Sequence, residues 1–187
     1  MKVSVGVSNR HIHLTQTDLE ILFGKDYKLE AVKPINQPGQ FASSALLTIK
    51  TDKSTIENVR VLGPVRGYTQ VEISMTDAYK LGIKPPIRTS GDLENSETVT
   101  LIGPNGELEA KNSTIIADRH IHITPKQKEM YGLNGKEYVS VLIPGEKGCI
   151  LNKVYLKESE DAYFELHIDT DDANANLVKN GDIVEIL

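Results

Sequence analysis

The tetrapeptide Arg-His-Ile-His occurs twice, as Arg10-His11-Ile12-His13 and as Arg119-His120-Ile121-His122, and these copies together with His167 hold all five histidines of the 187-residue chain. Such a duplication limits the fold before any element is assigned, because two like segments predict two like modules. The flanking text repeats in kind: Val7-Ser8-Asn9 before the first copy and Leu14-Thr15 after it lie over Ile116-Ala117-Asp118 and Ile123-Thr124, at a shift of 109 positions (His11 to His120). Further on, Tyr68-Thr69-Gln70-Val71-Glu72 lies over Tyr163-Phe164-Glu165-Leu166-His167 at a shift of 95, so that Glu72 falls on His167. The difference between 109 and 95 leaves fourteen extra residues in the first module. The proline- and glycine-rich stretch 33–41, which has no regular period, is the expected insertion.

Local signals assign the elements. Thr15 with Asp18, and Thr124 with Pro125 and Gln127, read as helix starts: a threonine N-cap, an acceptor side chain three residues on and, in the second copy, proline at the first helical position. Elsewhere β-branched and polar residues mix in short runs at 45–50, 58–62, 70–74, 98–102, 107–111, 138–143, 151–156, 162–168 and 182–186. Turn residues such as Pro104-Asn105-Gly106 separate them. Many short strands with brief helices predict a mainly β protein of two pseudo-symmetric small antiparallel β-barrel domains with short helices, rather than a parallel α/β sheet. The boundary is expected in or near 88–111, giving modules of about 1–90 and 91–187 with room for strand exchange.

Composition narrows the function. Hydrophobic residues at 39% and charged residues at 25% describe an ordinary water-exposed chain, and nothing approaches a run of about 18 apolar residues. Met1-Lys2-Val3-Ser4-Val5 leads straight into strand-like alternation with no leader pattern, so a cytoplasmic location is expected. A net charge of −5 argues against nucleic acid and anionic membrane as partners. Small molecules are the expected partners, with a homo-oligomer left open. Cys149 stands alone, cannot form an internal disulfide and reads as a packed small residue.

Residues i and i+2 of a strand share a face roughly 6.5–7 Å apart, so each His-x-His pair can converge on one ion. The repeat supplies a third candidate at the same place in each module, giving His11, His13 and Glu72 in one and His120, His122 and His167 in the other. These His₂Glu and His₃ sets match three-ligand catalytic zinc sites that keep a position open. Iron, cobalt or manganese suits the same donors. The competing reading of Glu72 is a solvent-facing strand carboxylate. Arg10 and Arg119 either brace their motifs through ion pairs or contact an anion. Arg66, six residues before Glu72 in Gly63-Pro64-Val65-Arg66-Gly67, is either a surface arginine or a bidentate holder of phosphate or carboxylate. The second module has Glu160-Asp161 near this place, so the two sites are expected to be unequal.

The series Ser8-Asn9-Arg10-His11-Ile12-His13-Leu14, Gln37-Pro38-Gly39-Gln40-Phe41, Gly63-Pro64 through Arg66, Gln70-Val71-Glu72, Ser90-Gly91-Asp92-Leu93, Ala117-Asp118-Arg119-His120-Ile121-His122 and His167-Ile168-Asp169-Thr170-Asp171-Asp172-Ala173-Asn174 resembles the phosphate propanoyltransferase family of phosphotransacylases, in order over nearly the whole chain. The resemblance implies two β-barrels, a dinuclear zinc site between them, and exchange of coenzyme A and inorganic phosphate on a short acyl group, acetyl or propanoyl. It assigns His11, His13 and Glu72 to one zinc, His120, His122 and His167 to the other, and Arg66 to phosphate. For coenzyme A itself, Gln40 and Phe41 in the 37–41 loop offer amides and an aromatic face, and Lys33, Arg88 or Lys84 can meet its phosphates, against the alternative of an ordinary solvated loop. Members packaged in bacterial microcompartments carry an N-terminal amphipathic extension, so encapsulation by that route is not expected here. Two other functions fit the residues: a dinuclear zinc hydrolase of thioesters or esters, and a non-catalytic zinc-binding module.

Overall fold

Alternating apolar positions make each strand one-sided, and in this chain those faces close on themselves twice. The computed structural model describes residues 1–187. In chain order the elements are β1 (Lys2–Ser8), β2 (His11–His13), α1 (Gln16–Phe23), β3 (Ala31–Pro34), β4 (Phe41–Lys50), β5 (Thr55–Gly63), β6 (Gln70–Glu72), α2 (Met75–Leu81), β7 (Ile87–Arg88), β8 (Glu97–Ile102), β9 (Glu107–Ala117), β10 (His120–Ile123), α3 (Pro125–Met130), β11 (Tyr138–Ile143), β12 (Cys149–Glu158), β13 (Glu165–Asp169), α4 (Thr170–Asn176) and β14 (Ile183–Ile186). No helix is long and apolar enough to cross a membrane.

One ring runs β4-β5-β2-β6-β9-β8 and back to β4. The other runs β11-β12-β10-β13-β1-β14 and back to β11. Strand by strand the two match in order and direction. In each, the His-x-His strand pairs parallel with one neighbour and antiparallel with the strand that carries Glu72 or His167. That latter strand then pairs parallel with β9 or β1, so the barrels are mixed, with the antiparallel ladders predominating. Closure removes the unpaired edges that an open sheet of short strands would expose. Strands β3 and β7 lie outside the first ring and have no counterpart in the second. The expected insertion at 33–41 accounts for part of this difference, although its start is the edge strand β3 rather than irregular loop.

The two compact units comprise residues 10–117, and 1–9 with 118–187. These bounds differ from modules of 1–90 and 91–187, and strand pairing is the reason. The hairpin β8-β9 completes the first ring through β4 and β6, while β1 completes the second through β13 and β14. In both modules, then, the strand preceding the Arg-His-Ile-His motif belongs to the other barrel.

Two helices follow the expected threonine caps, and two more begin right after the strands carrying Glu72 and His167. Ser74 caps α2 in a reciprocal capping box with Asp77, and Asp169 caps α4 by accepting from the Asp172 amide. Each barrel has its own apolar interior. Ile12, Leu14, Val61, Val71 and Leu101 belong to the first, and Ile121, Ile123, Val141, Val154 and Leu166 to the second. Ile12 and Ile121, each set between two motif histidines, are both fully buried. Strand alternation thus commits one face of the motif to the core and the other to the histidines. Replacing Ile12 or Ile121 by Ala should lower stability by about 2–5 kcal/mol, read as a reduced urea midpoint; an unchanged midpoint would show that the motif is not anchored through this face.

Candidate metal centres and anion site

Register builds both histidine clusters. His11 stands opposite Glu72 across the β2–β6 ladder, and His120 stands opposite His167 across β10–β13. Residues paired directly in an antiparallel ladder share a face with Cβ atoms about 4.5–5.5 Å apart, and the second histidine, two residues on, returns to that same face. Three side chains therefore meet in each barrel, with donor atoms all within 4.8 Å of one another. His11 Nε2 lies 3.3 Å from Glu72 Oε2, and His120 Nε2 lies 3.1 Å from His122 Nε2. A tetrahedral ion with Zn–N bonds of about 2.0–2.1 Å spaces its donors roughly 3.3–3.4 Å apart. These two gaps are close to that spacing.

Protonation in the clusters also suits a cation. Burial above all pushes the pKa of His13 down to about 3; the charges of His11 and Arg66 act in the same direction, and Glu72 opposes them. A neutral imidazole is the form that ligates metal. The buried Nδ1 of His13 has no hydrogen-bond partner, and a cation bound there would satisfy it. His120 Nδ1 lies 2.8 Å from the Asp118 carbonyl. A carbonyl only accepts, so this nitrogen carries the proton and Nε2 of the neutral ring keeps its lone pair toward the cluster.

The motif arginines are braces. Arg10 grips Asp77 with Nε and Nη2, at 2.8 and 2.7 Å, and Arg119 Nε donates to Asp172 at 2.9 Å. Each aspartate sits in the first turn of the helix that follows the strand of Glu72 or His167, so the pair ties both ends of a cluster to one helix start. Of the two readings open for these arginines, the structure supports the ion pair.

Arg66 differs. Its backbone amide donates to the Leu14 carbonyl at 2.8 Å, its Nη1 reaches Ser90 Oγ at 3.2 Å and Tyr68 Oη at 3.5 Å, and its Nη2 reaches Gln40 Oε1 at 3.4 Å. Every side-chain partner is uncharged, so no carboxylate cancels the guanidinium. Ser90 Oγ also accepts from Gln70 Nε2 at 2.8 Å, and the same amide nitrogen donates to Glu72 Oε1 at 2.5 Å. A continuous polar chain therefore runs from Arg66 through Ser90 and Gln70 to Glu72.

A family model described as phosphate propanoyltransferase matches residues 4–179. The chain belongs to the phosphate propanoyltransferase family. It is 51% identical to the phosphate propanoyltransferase of Thermotoga maritima, covering 99% of this chain and 89% of that protein. It is 48% identical to the protein of that name from Priestia megaterium, over 96% and 83% of the two chains. With the one from Salmonella typhimurium the figures are 44%, 92% and 82%. Membership in this family makes the chain an acyltransferase.

The residues expected to meet coenzyme A in this family setting are scattered in character. Gln40 is engaged by Arg66, and the Phe41 ring covers Gly63, where an added Cβ would stand 2.2 Å from it. Lys33 is exposed on β3, and Arg88 pairs with Asp92 at 3.4 Å. Cys149 is half-buried against the second barrel's core, as a packed small residue. Sequence reasoning passed over Gln70, Ser90 and Glu165. Both Gln70 and Glu165 precede the third cluster residue by two positions, and that period-2 spacing was the available signal.

The two arginine braces differ in burial: Asp77 is 4% exposed and Asp172 is 22% exposed. Arg10→Ala should therefore destabilise by about 1–3 kcal/mol, since it strands a buried acceptor, and by more than Arg119→Ala. Urea unfolding checks this, and equal effects of the two would contradict the burial argument.

Proposed function

We propose that the chain exchanges coenzyme A and inorganic phosphate on a short acyl group, propanoyl or acetyl, using one zinc ion held by His11, His13 and Glu72 and a second held by His120, His122 and His167. A phosphate oxygen forms a bond to the acyl carbon, the carbon–sulfur bond breaks, and coenzyme A leaves as its thiolate. Zinc in such donor sets supplies Lewis acidity toward carbonyl and phosphate oxygens and affinity for thiolate sulfur.

The observation that carries this reading is the link from Arg66 to Glu72. A half-buried guanidinium with only neutral side-chain partners has its charge available for an anion, and its planar fork suits two phosphate oxygens. Ser90 and Gln70 fix its position relative to Glu72, so the anion would be held at a set place beside the first cluster. Such orientation is a major part of catalysis when two reactants must meet. For the nucleotide end of coenzyme A, the same reading assigns Lys33 and Arg88 to its phosphates and Gln40 with Phe41 to the adjoining loop.

Transfer is direct, with no acyl group parked on the protein. Cys149 opens β12, whereas the ladder to the His120 strand begins six residues further on, at Tyr155. Cys149→Ala should leave turnover within about twofold, whereas a large loss of kcat in a folded variant would reveal a covalent route. Arg66→Ala should lower phosphate-dependent thiol release from propanoyl- and acetyl-CoA by about 10²-fold or more, the scale for one oriented charge-stabilising donor. Unchanged phosphate KM and kcat would remove Arg66 from its role. Equally fast thioester cleavage without phosphate, yielding free acid, would make the chain a hydrolase.

A further inference from the structure

The second barrel holds a buried carboxylate that the proposed reaction does not use. We propose that Glu165 is the positioning residue of the His120, His122 and His167 set: it accepts the Nε2 proton of His167, leaves Nδ1 as that ring's lone-pair nitrogen, and thereby strengthens zinc binding by this set. The inference rests on the reading that these histidines hold an ion.

Glu165 is 4% exposed, and its Oε2 lies 2.8 Å from His167 Nε2. A carboxylate in contact with a ring nitrogen fixes both the tautomer and the orientation of the ring and raises the basicity of the opposite nitrogen. The ladder places the pair. His167 faces His120 and Glu165 faces His122, so the four side chains form a two-by-two block on one face of β10 and β13.

Neighbouring backbone is shaped to admit the pair. Gly6 of β1 stands in register with His167, and a Cβ there would lie 2.8 Å from Glu165 Oε2 and 2.9 Å from His167 Cδ2. Gly6 does not have the positive φ that would itself call for glycine. Space for the carboxylate and imidazole explains the residue.

The first barrel supports the assignment by contrast. There the position matching Glu165 is Gln70, which stands opposite His13 and donates from Nε2 to Glu72. Where the third cluster residue is an anionic acceptor, its companion two positions earlier is an amide donor. Where the third residue is an imidazole donor, the companion is a carboxylate. Each pair thus keeps one hydrogen bond and one negative charge beside its proposed ion, which structural filler alone does not require.

The test measures zinc affinity by competition with a chromogenic chelator on full-length wild type, Glu165→Gln, Gly6→Ala and His120→Ala, together with thermal unfolding of each metal-free form. Wild type should bind two ions and His120→Ala one. Glu165→Gln should weaken one of the two ions about 10- to 100-fold while the other keeps its affinity, with metal-free unfolding unchanged. Gly6→Ala, whose methyl displaces the carboxylate and ring, should weaken the same ion. Unaltered affinities in Glu165→Gln, or a lowered metal-free unfolding temperature with both affinities intact, would make Glu165 a purely structural residue and overturn the proposal. If His120→Ala binds as many ions as wild type, the underlying zinc reading fails first and the proposal falls with it.

Discussion

Both candidate centres depend on the pairing of one short strand with another: β2 with β6, and β10 with β13. In these ladders His11 faces Glu72 and His120 faces His167, which brings residues 61 and 47 positions apart in sequence to one place on one face. Because side chains alternate, a slip of one residue would turn the third group into the barrel interior and bring an apolar neighbour, Val71 or Leu166, out in its stead. Val71 and Leu166 are fully buried, so hydrophobic burial on one face of the strand enforces the polar geometry on the other. The arginine braces add a second restraint. By joining the start of each His-x-His strand to the helix after its partner strand, they resist sliding along the ladder.

The same ladders explain how a duplicated chain supports an unequal pair of sites. The ring topology is shared, yet the first barrel carries β3 and β7 outside its ring. Gln40, at the end of the loop following β3, and Ser90, just after β7, are both partners of Arg66. The additional segments of the first module are therefore what surrounds its arginine with uncharged acceptors. Glu72 in place of a third histidine then completes an asymmetry of charge: the cluster with the carboxylate has the guanidinium beside it, linked through Ser90 and Gln70.

Much of this was legible in the residues. The repeat at two fixed shifts named all six cluster residues, because duplication preserves spacing along strands even where the intervening loops differ. Strand content was legible from β-branched runs, and the threonine-capped helices from their capping patterns. Partnership was not. Periodicity reports strand-like alternation from the first residues and a strand at 107–111 but not which barrel receives them, and the exchange of β1 and β9 puts the unit boundary at 117 rather than near 90. Helices α2 and α4 were hidden because α4 follows its strand directly and only Ile73 and Ser74 separate α2 from its own, although Ser74 with Asp77 and Asp169 with Asp172 carried the cap signal. Whether Arg10 meets an anion or an aspartate depended on where helix α2 begins, which no local pattern states.

The central claim is that strand register gathers two separate three-residue sets, each of which holds one ion. Anomalous diffraction at the zinc edge from crystals of the purified enzyme tests it most directly. The account predicts two peaks per chain, one within bonding distance of His11, His13 and Glu72 and one within bonding distance of His120, His122 and His167. A single peak, or peaks bound by other residues while these six side chains hold only water, would contradict it.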